Sequence, residues 1–256
     1  MTRLVTIVDD TRTAKPAARF LSAVIASLTA QVSEFCADWS IADDVTIGVG
    51  TDGHITDGDM VVHLVDDDAQ VTGALGYHAV DPTGTPEAWV FVQTILDHGG
   101  TWIDGPNSVS VCMSHELLEM LLDLEANEFV FDGAGRMWAR EACDAVESST
   151  YPVQGCAVSD YVLPAYFSHG AAGPYDKLRR LGAPFSIDRG GYSIVSKAGP
   201  PSRLFGAARF VPDPNGELAL VVGDRYPGWK HTVKAAPGSR TMRRLASGAS
   251  MLLSTS

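Results

Sequence analysis

Positive charge is scarce in this chain: 19 Lys and Arg stand against 31 Asp and Glu, a formal charge of −12 over 256 residues. Neutralising phosphates takes clustered cations, so a nucleic-acid groove is not expected. Long hydrophobic runs are missing as well. The longest helix-like apolar run, Phe20 to Val32, is interrupted by Ser, Thr and Gln. It falls short of the roughly 20 residues that a bilayer requires, and no membrane span is expected. The four cysteines, Cys36, Cys112, Cys143 and Cys156, are scattered without CxxC spacing. That pattern argues against a thiolate metal site and reads as reduced thiols. The opening MTRLVTIVDDTRTAKPAARF has no apolar core behind a basic start, so it is not expected to act as a secretion signal. No G-x-S-x-G elbow or phosphate-cradling glycine loop occurs. TDGHITDGD, around His54, resembles a calcium loop but lacks the glutamate at the twelfth position.

What is present suits a packed domain, since 45% of residues are apolar. LVTIVDD reads as a first strand and Pro16 to Trp39 as a long amphipathic helix. VTIGVGTDGHI and DMVVHLVDDD read as strands, GYHAVDPTGTPE as a loop, and AWVFVQTIL as a strand rich in β-branched and aromatic residues. Ser108 to Leu124 reads as a helix. Beyond it come short apolar runs, EFVFD, YVLPAYF, YSIVS, ARFVP and LALVVG, separated by Gly and Pro, which predict irregular β structure. This order suits an α+β fold. A boundary is expected near Gly170–Pro174, with a main domain over 1–170 and a β-rich extension over 171–256 that ends in a basic tail.

The informative stretch is VCMSHELLEMLLDLEANEF, Val111 to Phe129. His115 and Glu119 are four residues apart and project from one helix face, while Glu116 is rotated by about 100° from His115. This is the layout of the HExxH zinc motif with glutamate in place of the second histidine, and a carboxylate is a competent zinc ligand. The extra negative charge makes metal-bound water less acidic. The same spacing also suits an ordinary amphipathic helix. Two features favour the metal. The helix is apolar nearly all round, so its polar group is expected to be buried and to need compensation. A compact acidic stretch follows, WAREACDAVE, in which Glu141 and Asp144 are three apart and one helical turn would aim both at one point. Either could be the third ligand, the fourth position being left for water, as in catalytic zinc sites. Taken alone, that stretch also reads as a solvated helix face.

AWVFVQTILDHGG, VCMSHELLEMLLD, WAREACDAVE and VSDYVLPAYF together resemble a family of zincin-like metallopeptidases associated with phages and prophages. The similarity covers about residues 70 to 195 and includes GYH and FSIDRGGYSIV. The resemblance implies a zincin-like domain, a twisted mixed sheet over a metal-binding helix, with AWVFVQTIL as an edge strand beside the cleft that binds an extended peptide by β-addition. It implies His115 and Glu119 as zinc ligands and Asp144 as the third. Glu141 is then the rival of Asp144, or the partner that orients His115. Glu116 is implied as the general base. The expected activity is zinc-dependent peptide-bond hydrolysis on a peptide or protein substrate. The alternative is a virion structural protein (head, connector or tail) that keeps the fold without turnover and contacts other virion proteins. The corresponding locations are the bacterial cytoplasm or the virion. Two departures stand out. Asp123 is followed by Leu124 where the family has Asp-Pro, and zincin proteases mostly carry two histidines in the motif where this chain has one.

Other polar residues are assigned bland roles. His78 reads as a loop histidine satisfied by water, with oxyanion stabilisation as its functional alternative; Tyr77 and Tyr161 are weighed in the same way. His63 reads as structural, and Asp66, Asp67 and Asp68 as a solvated turn.

Overall fold

The computed structural model describes residues 2–50, 60–67 and 74–196, and the backbone of three further short strands, 202–205, 209–212 and 218–221. TDGHITDGD and the basic tail lie outside the described residues. The fold is α+β, and the chain makes two compact units interleaved along the sequence. The first comprises Met1–Asp68, Leu75–Ala126 and Thr150–Ser159; the second comprises Ala69–Ala74, Asn127–Ser149 and Asp160–Ser256. Residues on both sides of Gly170–Pro174 belong to the second unit.

The first unit is built on a five-stranded sheet. Its strands are β1 (Thr2–Asp9), β2 (Asp44–Val49), β3 (Met60–Val65), β4 (Gly76–Val80) and β5 (Pro86–Phe91), in the order β2-β1-β3-β5-β4. The first four in that order run parallel and β4 returns antiparallel at the edge. Two expectations are corrected here. GYHAVDPTGTPE is no simple loop, because its first half is β4 and only the Asp81–Thr85 turn is irregular. AWVFVQTIL is neither a single strand nor the edge: it enters the sheet as β5, inside β4, and turns at Phe91 into the short helix α2 (Val92–Asp97). The apolar run looked like one strand because periodicity alone cannot separate a buried strand from a buried helix.

Helix α1 (Ala18–Trp39) lies against β2, helix α3 (Val109–Leu122) lies against β4 and β5, and the two helices touch. A hairpin of β8 (Thr150–Val153) and β9 (Cys156–Ser159) packs on both helices. By length and composition α1 could cross a membrane, since helical structure extends beyond the apolar run on which the sequence expectation rested. Here it is a core helix: Val24, Leu28 and Phe35 are fully buried, and its two buried polar residues, Ser27 and Gln31, are satisfied internally. Ser27 Oγ donates to Val153 O at 2.8 Å, and Gln31 Nε2 donates to Ser159 O at 2.8 Å. Ser114 Oγ of α3 donates to Gln31 Oε1 at 2.6 Å and accepts from Ser159 N at 3.0 Å. This closed network ties α1, α3 and β9 together with few unmet polar groups, the condition under which buried amides are tolerated.

Side-chain alternation sorts the sheet faces. Val62 and Leu64 stand beside Ala88 and Val90 under the helices, whereas His63, Trp89 and Tyr77 form a row on the opposite face. In that row Tyr77 and His63 both stack on Trp89, at 4.7 and 5.5 Å. His63 also meets Asp10 at 2.8 Å, which agrees with a structural role. Asp66 sits in a half-exposed bend, where its carboxylate accepts from the backbone N–H groups of Arg12, Thr13 and Ala14. All four cysteines are buried free thiols; Cys112 donates to Leu75 O. The β4–α3 contact is tight at Gly76. A Cβ there would meet Cys112 Sγ and Trp89 O at 2.7 Å and Glu116 Cγ at 3.2 Å.

The second unit holds an antiparallel sheet of β6 (Phe129–Phe131), β7 (Met137–Ala139), β10 (Tyr192–Ser196) and β11 (Ser202–Phe205), in the order β11-β10-β7-β6, and a β12–β13 hairpin (Arg209–Pro212, Leu218–Val221). YVLPAYF is not a strand: Val162 makes one isolated bridge with Asp176, and Pro164–Phe167 is a 3-10 turn with proline at its start. Asp132 organises the β6–β7 turn. Burial pushes its carboxyl up, but hydrogen bonds from Arg136, Trp138 and Ala134 outweigh that and hold it well below the usual range. Asp160 behaves oppositely. It is fully buried beside the equally buried Asp176, and burial followed by the Asp176 charge pushes it up to about 8.

Two outcomes follow. Gly76→Val should force β4 from α3 and cost about 1–3 kcal/mol, the usual penalty of overpacking, read as a lowered melting temperature. For Asp160, the folded chain binds a proton more tightly than the unfolded one, whose aspartate titrates near 3.9. Its contribution is therefore complete below about pH 4 and is lost as pH rises through about 8. Asp160→Asn should flatten that decline and melt above the parent at pH 8, by about 2–4 °C for each kcal/mol recovered.

Candidate metal centre

Helix α3 starts at Ser108, whose Oγ accepts from Val111 N at 3.3 Å, and ends at Leu122 as Asp123 leaves the helical region at φ −134°. The helix stops there without the proline of the family pattern. Every residue from Val109 to Leu122 except His115 is buried. A polar group on such a helix has no water to turn to, so its partners must be protein groups or a ligand.

Those partners come from the edge strand. In β4 the residue facing α3 is His78, because its neighbour Tyr77 is committed to the aromatic row on the other face. His78 is 1% exposed, and its Nδ1 lies 3.3 Å from Glu116 Oε2 and 3.5 Å from Glu119 Oε2. Glu119, fully buried, turns its other oxygen to His115, with Nε2 to Oε1 at 3.4 Å. The first unit thus gathers His78, His115, Glu116 and Glu119, with Glu119 spanning the two imidazoles. The reading of His78 as a water-satisfied loop histidine is corrected. The sequence carried a signal for it, the alternation of GYHAV, which the following Pro and Gly obscured.

These separations say something about chemistry. A charge-assisted hydrogen bond between imidazolium and carboxylate closes to about 2.7–2.9 Å. Zinc bonds of about 2.0–2.1 Å in a tetrahedral shell instead hold neighbouring donor atoms about 3.3–3.4 Å apart. The spacings of His78 and His115 from the Glu119 carboxylate, 3.5 and 3.4 Å, are compatible with the second geometry. Burying two carboxylates one turn apart also calls for positive charge, supplied by a proton, an imidazolium or a cation. This buried His/Glu group could hold a metal ion.

The acidic stretch belongs to the second unit, and its local structure differs from expectation. WAREACDAVE is no helical turn. Its Trp138 and Ala139 end β7, Glu141 follows in irregular backbone, and Asp144 opens a 3-10 turn, Asp144–Val146. Nor is it a solvated face, because Glu141 and Asp144 are 2% and 1% exposed. The 3-10 turn is pinned by Asp188 N donating to Ala145 O at 2.9 Å. It is also closely approached at Gly191, where a Cβ would lie 2.4 Å from Ala145 O. Tyr161 is fully buried, with Lys177 above its ring.

No protein-family model, curated protein or solved structure gives a match to this chain.

Proposed function

We propose that the chain is a zincin-like metalloprotein whose α3 helix holds a divalent cation, with zinc the ion best suited to the donors. The observation that carries the reading is Glu119. A fully buried carboxylate with an imidazole 3.4–3.5 Å from each of its oxygens is arranged as a metal ligand is. The first unit places an imidazole on either side of it, His78 and His115, a mixed nitrogen and oxygen donor set that zinc accepts. The motif resemblance to phage and prophage zincins implies His115 and Glu119 as the ligands from this helix.

The activity proposed is hydrolysis of a peptide bond. Zinc, when bound, supplies Lewis-acid polarisation of the scissile carbonyl and a more acidic water. The chain supplies Glu116, which follows the first ligand in the motif and would take the proton from the attacking water. Its contact with His78 fixes the carboxylate and gives the abstracted proton a neighbouring imidazole to share. The edge strand available for β-addition is β4, which sits outside β5 in the sheet.

A second reading is favoured by burial. With Glu116 only 5% exposed and His78 and Glu119 more deeply buried, the cation could serve as a folding staple in a virion structural protein.

Metal content measured by elemental mass spectrometry should be near one zinc per chain, and His115→Ala or His78→Ala, whichever imidazole belongs to the true set, should abolish it. Zinc uptake that neither substitution changes would refute the centre. Glu116→Gln should retain zinc and reduce cleavage of a casein-derived peptide mixture by about 100-fold or more, the usual worth of a general base. A zinc-loaded parent that cleaves no peptide would leave the staple reading standing.

A further inference from the structure

Strand β4 is the last strand of the first unit's sheet, and its two faces carry different chemistry. Gly76 and His78 turn to helix α3, while Tyr77 belongs to the aromatic row on the other face. That row has a direction. His63 of β3 stacks on Trp89 of β5 with centroids 5.5 Å apart and planes 12° from parallel. Trp89 stacks in turn on Tyr77 of β4 at 4.7 Å and 17°. His63 and Tyr77 both pair with Trp89 in the sheet register, so each ring stands directly across from the next. The row steps outward one strand at a time and reaches the sheet edge at Tyr77. Phe91 supports Tyr77 from the diagonal position, with centroids 5.9 Å apart.

A strand added along β4 inherits this pattern. Residues directly opposite each other in neighbouring strands share a face, with Cβ atoms about 4.5–5.5 Å apart. The peptide residue that pairs with Tyr77 therefore sends its side chain beside the Tyr77 ring, on the face away from α3. The residues before and after it point to the α3 face. Stacked aromatic side chains attract beyond the area they bury, and Tyr77 is held in place by Trp89 and Phe91. We propose that Tyr77 is a specificity-determining residue of this edge, selecting an extended peptide whose side chain at the paired position is aromatic and adds a ring to the row. The inference rests on the reading of β4 as the strand that takes a peptide by β-addition.

The probe is a fluorescein-labelled threonine–serine decapeptide in which a single phenylalanine is moved from position to position, each compared with alanine at the same place. The protein is the full chain carrying Glu116→Gln, so that a bound peptide stays intact. At one position phenylalanine should tighten binding about five- to tenfold over alanine, by fluorescence anisotropy. Tyr77→Phe should keep that gain, and Tyr77→Thr should reduce it to about twofold or less. A second measurement leaves Tyr77 unchanged: p-benzoylphenylalanine at the preferred position should cross-link to residues 76–80. A phenylalanine gain that survives Tyr77→Thr, or cross-linking confined to other segments, would overturn the proposal. Peptides that bind without a preferred phenylalanine position defeat the inference alone and leave β-addition standing. No peptide binding defeats both, and β4 amides that exchange slowly only in a dimer would give the edge to a second copy of the chain.

Discussion

The energetics of the first unit turn on two glutamates carried by a helix that has almost no solvated face. Leucine, methionine and valine around α3 gain by leaving water, and they take Glu116 and Glu119 with them. A buried carboxylate is tolerable only when positive charge or strong donors surround it. The design of the β4–α3 contact answers that demand. Gly76 lets the strand close on the helix, and strand alternation then delivers His78 to both carboxylates. The rest of the unit holds this contact in register. Ser114, next to His115, is locked to Gln31 and Ser159, so α3 is prevented from rotating or sliding against α1 and β9.

The second unit handles buried acid in a different way. Asp132 is met by a full set of donors that hold its carboxyl low, while burial beside Asp176 pushes the Asp160 carboxyl up. Charge on Asp132 is stabilised by the Arg136 guanidinium and backbone N–H groups within one turn. Asp160 has backbone donors from Tyr161 and Leu178 but a carboxylate as neighbour, and burial decides the outcome.

Much of the architecture could be read from residues alone. The amphipathic α1, the strands LVTIV and MVVHLV, and the start and length of α3 follow from local periodicity and from a serine cap. Periodicity failed where one apolar run changes its backbone type. AWVF and VQTIL read as a single strand, yet the chain turns helical at Val92, where the first-turn N–H groups of Gln93 and Thr94 donate to Asp66 O just past β3. The run WAREACDAVE misled in the same way, since three-residue spacing fits a helix, whereas β7 pairing with β6 and β10 keeps its first two residues extended.

For the site, the sequence by itself determined that His115, Glu116 and Glu119 share one turn-and-a-bit of an apolar helix, because helical spacing is a local property. It could not determine which imidazole would meet them from outside. His78 lies 38 residues upstream in a segment whose glycine and prolines look like a loop. Only the antiparallel return of β4 along β5 sets its register, and only that register turns His78 rather than Tyr77 towards the helix. Side-chain direction in a strand reverses with every residue, so a one-residue change in pairing would have exchanged the two. That choice belongs to the sheet as a whole.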